Sequence, residues 1–300
     1  MLGPTGSGKS DLSLYLARAI GGEIVNCDSL QVYRGFDAGT AKVPPAERQG
    51  IPHHLIDIVE PANLFTAGDY ARLAEAAIRE ISGRGRTPVL VGGTGFYLRG
   101  LLEGLSPGPA RDDTLRARLQ ERERKRSGSL HRILARLDPV SAARIHANDK
   151  NKTMRALEVR LIEGAPLSSM FERGRAALAG VRPVKIGLDP PRELLYARVN
   201  ERARKMFECL LVEEVRRLLS AGVPPDAKPF ESLGYKQALE MVRGRITLEQ
   251  AIESTQLETR RYAKRQRTWF QKEAGVRWIQ GFGDHPRVQA EALAILRREL

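Results

Sequence analysis

Within the stretch GPTGSGKS, residues 3–10, the residues Gly3, Gly8, Lys9 and Ser10 satisfy the spacing G-x-x-x-x-G-K-[ST]. Each residue type has a task there. Glycines let the backbone turn so that the N–H groups from Gly6 to Ser10 converge on phosphate oxygens. Lys9 adds a mobile positive charge, and the Ser10 hydroxyl can ligate Mg²⁺. The segment DLSLYLARAI that follows reads as a helix whose positive end faces the anion. A glycine-rich turn without a ligand is the alternative, and the helix that follows directly weighs against it. Two further groups stand where chemistry is done. Asp28 closes EIVNCD, and it could hold Mg²⁺, act as a general base or cap the segment SLQVY. Thr94 closes TPVLVGGT, where its hydroxyl could orient a nucleophile or cap a helix.

These residues need a sheet beneath them. Apolar runs at Glu23–Asp28, His54–Glu60 and Thr87–Gly93 read as strands, and FTAGDYARLAEAAIREISGRG between the last two carries apolar residues at helical spacing. Strands alternating with helices predict a doubly wound, mostly parallel α/β sheet of the P-loop NTPase type, with ligands beyond the carboxyl ends of its strands. After SPGPARDD the texture changes to charged helical segments, which predicts a small helical insertion over residues 111–180. The core then resumes over 181–300, with strands at Pro183–Asp189 and Gly275–Gln280, a long helical stretch between them and a last helix over 286–300. Only Met1 and Leu2 precede the phosphate loop, where a central strand is normally found. Either the sequence starts late or the sheet tolerates a stub; the late start is the preferred expectation, with exposed edges on the neighbouring strands as its consequence.

Net charge is +13, which favours an anionic partner, RNA or DNA first and a membrane surface second, with an arginine-rich composition without a specific partner as the alternative. Cys27 and Cys209 lie far apart, so the cysteines form neither a zinc site nor a disulfide framework, and a reducing cytoplasm fits. No apolar run approaches the roughly 20 residues that span a bilayer. Cys27 is expected to be a small core residue, and His53 and His54 to serve packing.

GPTGSGKS, DSLQVYRGFDAGTAK, PHHLIDIVEP, VGGTGFYLRGLLEGL, RALEV, LGYKQ and AKRQRTWF occur in that order. In this the chain resembles the bacterial tRNA dimethylallyltransferases along nearly its whole length. The resemblance implies that the loop Gly3, Pro4, Thr5, Gly6, Ser7, Gly8, Lys9 and Ser10 holds the diphosphate of dimethylallyl diphosphate. Lys236 of LGYKQ would assist it, and Mg²⁺ would sit at Ser10. The five-carbon group would pass to the exocyclic amine of the adenosine 3′ to the tRNA anticodon. Asp28 would be the general base and Thr94 the orienting hydroxyl, acting on a base flipped from its stack. The same resemblance brings Asp28, Ser29, Leu30, Gln31 and Thr94 to the flipped adenosine. It assigns further tRNA contacts to Arg116, Asn151, Lys152 and Arg155 in the insertion and to Lys264, Arg265, Gln266 and Arg267 near the C-terminus. A monomer is implied.

The stretch ETRRYAKRQRTWFQKE supports an RNA surface on its own account, because its bases are not offset by acids and Tyr262, Trp269 and Phe270 are interleaved. In ERERKRSG acids offset bases, which predicts a solvated helix. Three rivals share parts of this pattern. A P-loop kinase for a small metabolite needs no basic helix. A prenyltransferase acting on free adenine nucleotide needs neither that helix nor the insertion. A non-catalytic RNA-binding protein has no use for Lys9, Ser10, Asp28 and Thr94.

Overall fold

The computed structural model describes residues 1–105, 108–170 and 177–299. Ser106 and Pro107 of the segment where the texture changes, residues 171–176 of the expected insertion, and Leu300 of the expected last helix lie outside the described residues. The chain forms two compact units, one of residues 1–101 and 179–300 and one of residues 102–178.

In the first unit α1 (Lys9–Ile20) leads to β1 (Glu23–Asn26), β2 (His53–His54), α2 (Ala67–Gly83), β3 (Pro88–Val91) and α3 (Gly95–Leu102). α2 starts on a capping box, in which Thr66 accepts the Asp69 N–H and Asp69 accepts the Thr66 N–H. Strands β2, β1 and β3 pair in that order, all parallel. The expected strand over His54–Glu60 is the one that fails. Leu55 and Asp57 take φ of 62° and 56°, a left-handed backbone that cannot continue a ladder, so β2 stops at His54.

The second unit, Leu102–Leu178, is helical: α4 (Asp113–Lys125), α5 (Ser129–Leu137), α6 (Pro139–Arg144), α7 (Lys150–Glu163) and α8 (Leu167–Met170). It begins ahead of residue 111, because Pro109 is already tied to it through a hydrogen bond from Arg155 (2.9 Å). Leu119, Leu130, Leu134, Met154 and Leu157 form its core. Glu123 of ERERKRSG is buried rather than solvated, where it accepts the Gly128 and Leu130 N–H groups.

The first unit resumes with β4 (Lys185–Leu188), α9 (Arg192–Cys209), α10 (Leu211–Ser220), α11 (Tyr235–Val242), α12 (Leu248–Phe270), β5 (Val276–Ile279) and α13 (Pro286–Glu299). β4 and β5 pair in parallel. Met1 and Leu2 join the two sheets. The Met1 amine donates to Leu90 O (2.8 Å), the Leu2 N–H to Ile186 O (2.8 Å), and Leu188 N–H to Leu2 O (3.0 Å). Two residues therefore stand between β3 and β4, and the backbone polar groups expected to be exposed there are partly paired. Above them α1 buries Leu14 and Ala17 against β1 and β3, and Leu12 and Leu16 against β4, β5 and α13. Chain direction across the sheet switches at this stub, which opens the crevice that receives ligands in such folds. No helix among the described residues is long and apolar enough to cross a membrane.

Candidate active site

The phosphate loop leaves Leu2 at the carboxyl ends of the strands and enters α1 at Lys9. Its shape depends on glycine at two close approaches. Gly6 has φ of 80°, and a Cβ there would stand 2.6 Å from Val199 Cγ1 on α9. Gly8 has φ of 81°, and a Cβ would stand 2.8 Å from the Gly283 nitrogen. The loop is thus wedged between α9 and the turn before α13, with Gly283 N–H donating to Ser7 O (2.9 Å). Lys9 Nζ folds back to donate to Gly3 O (3.0 Å) and Pro4 O (2.8 Å). Burial lowers its ammonium to about 8, although the Asp28 carboxylate opposes the shift. A lysine held in this way is a cation short of anionic partners.

Asp28 and Thr94 lie on adjacent loops because β1 and β3 are neighbours. Asp28 Oδ1 accepts the Leu30 N–H (2.8 Å) and Gln31 N–H (3.4 Å), so the capping role is real. Among the described residues no hydrogen bond reaches Oδ2, which leaves that oxygen available for chemistry. Thr94 N–H donates to Cys27 O (3.2 Å), and Thr94 Oγ1 accepts the Ser29 N–H (3.0 Å). The hydroxyl therefore locks the Asp28-Ser29 segment instead of capping α3. Cys27 is buried below, with its thiol pushed up to about 12 by burial, as a core cysteine should be.

Two cavities share Thr5, Asp28, Thr40, Arg202 and Tyr262. The polar one, about 440 Å³, is lined by Gly6, Gly8, Lys9 and Ser10, with Arg198, Arg202 and Lys205 from α9. The other, about 410 Å³, is lined by Tyr33, Phe65, Tyr97, Val199, Met206 and Leu233 among others. Both fall in the size range of small-molecule sites. A polar cavity lined by the glycine turn thus adjoins a more apolar and aromatic one, with Asp28 common to both. Arg202 is the residue that sequence reasoning missed. Its guanidinium donates to Thr5 Oγ1 (2.8 Å), and burial lowers its pKa. The signal was present in Arg198, Arg202 and Lys205, whose i, i+4, i+7 spacing puts them on one face of α9. Glu193, Glu201 and Glu208 in the same helix diluted it.

Other expected contacts take different places. Lys236 is exposed and is not among the residues lining either cavity, because its neighbour Tyr235 takes the inward position of LGYKQ. Tyr235 OH accepts the Gly39 N–H (3.1 Å) and donates to buried Glu214. Glu214 also accepts the Asp37 and Ala38 N–H groups (3.1 and 3.0 Å). That motif therefore holds the loop above the cavities. In the helical unit, Arg116 and Arg155 converge on Glu158, which is 0% exposed. Arg116 makes bonds of 2.9 and 2.8 Å to it, and Arg155 one of 2.8 Å. Asn151 and Lys152 are exposed at the start of α7, with Lys152 beside Asp149 (2.8 Å).

On α12, Lys264 and Arg265 are exposed and share a face with Arg261 and Lys272, beside Trp269 with Arg99 stacked on its ring (4.7 Å). Gln266 and Arg267 turn the other way. Gln266 is buried, and Arg267 pairs with Asp189 (2.8 and 2.9 Å). Their side chains are engaged within the protein, where a surface contact was expected, because one residue along a helix turns the side chain by about 100°.

Comparison with known proteins gives the family. The model of the IPP transferase family matches residues 31–273. The tRNA dimethylallyltransferase of Solibacter usitatus is 59% identical over 97% of this chain and 95% of its own. The full-length tRNA isopentenylpyrophosphate transferase of Bacillus halodurans superposes with a TM-score of 0.72 at 37% identity, covering 99% of this chain and 94% of its own. A eukaryotic dimethylallyltransferase solved acting on tRNA gives a TM-score of 0.79 at 27% identity, covering 99% of this chain and 76% of its own. A phosphate loop opening into an aromatic chamber at Asp28, carried on a chain with such relatives, makes this protein a member of the IPP transferase family.

Proposed function

We propose that this enzyme transfers the dimethylallyl group of dimethylallyl diphosphate to the exocyclic N6 amine of the adenosine 3′ to a tRNA anticodon, releasing diphosphate. The observation that carries this reading is the junction of the two cavities at Asp28. One end suits a diphosphate, the other an apolar chain and a purine. In the reaction the N6–C1 bond forms while the allylic C1–O bond breaks. Negative charge moves onto the leaving diphosphate, where the loop N–H groups, Lys9 and Arg202 stabilise it. The N6 proton passes to Asp28, whose Oδ2 is available for it. Thr94 keeps the Asp28-Ser29 segment in register with β3.

Ser10 fits a role in holding Mg²⁺. Its hydroxyl lines the polar cavity and makes no hydrogen bond among the described residues, and Mg²⁺ favours such hard oxygens alongside phosphate and water. Mg²⁺ bound there would add positive charge against the leaving diphosphate. Lys264 and Arg265 supply phosphate contacts for RNA, and Asn151 and Lys152 are exposed for the same use. Arg116 and Arg155 act by shaping the helical unit through Glu158, and Lys236 has no part in the diphosphate site.

The test is incubation with Mg²⁺, dimethylallyl diphosphate and unmodified tRNA, beside tubes with free adenine nucleotide or with ATP and kinase substrates. Mass spectrometry should find a five-carbon gain on the anticodon-loop adenosine and none on free nucleotide. A gain on nucleotide alone, or phosphate transfer from ATP, would replace this reading with one of the rivals.

A further inference from the structure

Gln266 lies in the middle of a strongly basic run, yet it is only 6% exposed. Both ends of its amide are occupied. Oε1 accepts the Thr5 N–H (2.8 Å), and Nε2 donates to Gly93 O (2.8 Å). Only one orientation of the amide satisfies both partners, since one is a donor and the other an acceptor. The fit is close: a Cβ on Gly93 would stand 2.3 Å from Nε2. Thr259, Ala263, Gln266 and Phe270 belong to the buried stripe of α12, while Lys264 is exposed and Arg265 is exposed at the edge of the more apolar cavity.

We propose that Gln266 is a positioning residue that ties the diphosphate loop to the turn carrying Thr94. This rests on the reading of the site given above. Thr5 is then fixed twice, at its N–H by Gln266 and at its hydroxyl by Arg202. Gly93 precedes Thr94, whose hydroxyl holds Ser29 beside Asp28. A continuous path therefore runs from the leaving-group cradle through Gln266, Gly93, Thr94 and Ser29 to the proton acceptor. Displacement at carbon needs the leaving oxygen, the carbon and the amine in line, so the spacing of these two ends sets the rate. An amide is the side chain that both accepts and donates across this gap. A carboxylate only accepts, a lysine or arginine only donates, and methionine has the length without the bonds.

The experiment compares the full-length enzyme with Gln266→Met and Gln266→Glu. It measures affinity for inorganic diphosphate by calorimetry, tRNA affinity at fixed salt, and single-turnover transfer with both substrates saturating. Gln266→Met should lower the saturated transfer rate roughly tenfold or more, weaken diphosphate severalfold, and leave tRNA affinity within about twofold. Gln266→Glu keeps the volume and adds a diagnostic. When ionised it cannot donate to Gly93 O, but when protonated it can, so its diphosphate affinity relative to wild type should rise as pH falls from 8 to about 5.5. Three results would overturn the proposal: wild-type transfer and diphosphate binding in both variants, lost tRNA affinity with an unchanged saturated rate, or a pH-independent Glu-to-wild-type ratio. Diphosphate binding does not presuppose prenyl transfer. A wild-type enzyme that fails to prenylate tRNA refutes the proposed function, while the diphosphate measurements still decide the role of Gln266.

Discussion

Replacing Lys9 by Met should cripple the site and change how stability depends on pH, and the two effects should follow pH in linked ways. The ammonium sits at about 8 in the folded protein against an ordinary 10.5, with burial the main cause. The folded state therefore holds fewer protons than the unfolded chain between those values. The resulting cost is fully present below pH 8 and is relieved as pH rises towards 10.5. Its ceiling is about 3 kcal/mol, and residual solvent contact reduces this to about 1–2 kcal/mol. In urea denaturation the stability of Lys9→Met relative to wild type should be greater at pH 7 than near pH 10.5 by that amount, on top of a pH-independent cost for the Gly3 and Pro4 carbonyls that lose their donor. Bound diphosphate supplies the counter-charge that burial denies, so it restores the ammonium and takes up a proton above pH 8. At pH 9 only about one free molecule in eleven carries the charge, so wild-type affinity should fall roughly tenfold from pH 7 to pH 9 beyond any change seen in Lys9→Met. Diphosphate's own titration is common to both proteins and cancels in their ratio. Calorimetry across pH 6.5–9.5 measures it. A ratio that stays constant with pH would refute the argument, as would a stability difference between Lys9→Met and wild type that does not change between pH 7 and pH 10.5.

Lys264→Glu with Arg265→Glu should weaken tRNA binding and reduce the slope of log affinity against log salt by roughly 2; an unaltered slope would return that face of α12 to solvent. Glu158→Ala should cost the helical unit about 3 kcal/mol, since two guanidiniums lose their common partner. Burial pushes the Glu158 carboxyl up, but Arg116 and Arg155 outweigh it and hold the group at about 2. This stabilisation is complete above pH 4.5 and is lost as pH falls from there towards 2, a transition that acid titration by circular dichroism should find in wild type and not in Glu158→Ala. Tyr235→Phe removes the hydroxyl that binds Gly39 and Glu214. It should raise KM for tRNA severalfold and leave diphosphate affinity unchanged, whereas a loss confined to diphosphate would mean that LGYKQ serves the loop after all.

The glycine turn of residues 3–10 and the placing of Asp28 and Thr94 on neighbouring loops were legible in the sequence, because backbone geometry dictates the first and strand ends the second. The rest depended on direction around a helix. AKRQRTWF reads as one basic segment, but Lys264 and Arg265 face outward while Gln266 and Arg267 turn to Thr5, Gly93 and Asp189. The tRNA contacts expected at Arg116 and Arg155 gave no hint of Glu158, since the pairing of α4 with α7 is a tertiary fact. Arg202 was hidden among the acids of its own helix, one of which, Glu201, lines the same cavity. The short β2 could not be foreseen, because Leu55 and Asp57 adopt left-handed backbone without the glycine that normally announces it. A sheet that tolerates a two-residue stub was the less favoured of the two readings of the N-terminus, yet Met1 and Leu2 do bridge β3 and β4.

The central claim is that Asp28 accepts the adenosine proton beside a diphosphate held by the loop. Rapid-quench single-turnover transfer by Asp28→Asn tests it most directly, because the amide oxygen can still accept the Leu30 and Gln31 N–H groups and preserve the turn. The rate with saturating tRNA and dimethylallyl diphosphate should fall at least about a hundredfold, with tRNA affinity near that of wild type. Transfer at the wild-type rate by Asp28→Asn would contradict the account and leave the carboxylate with nothing but its cap.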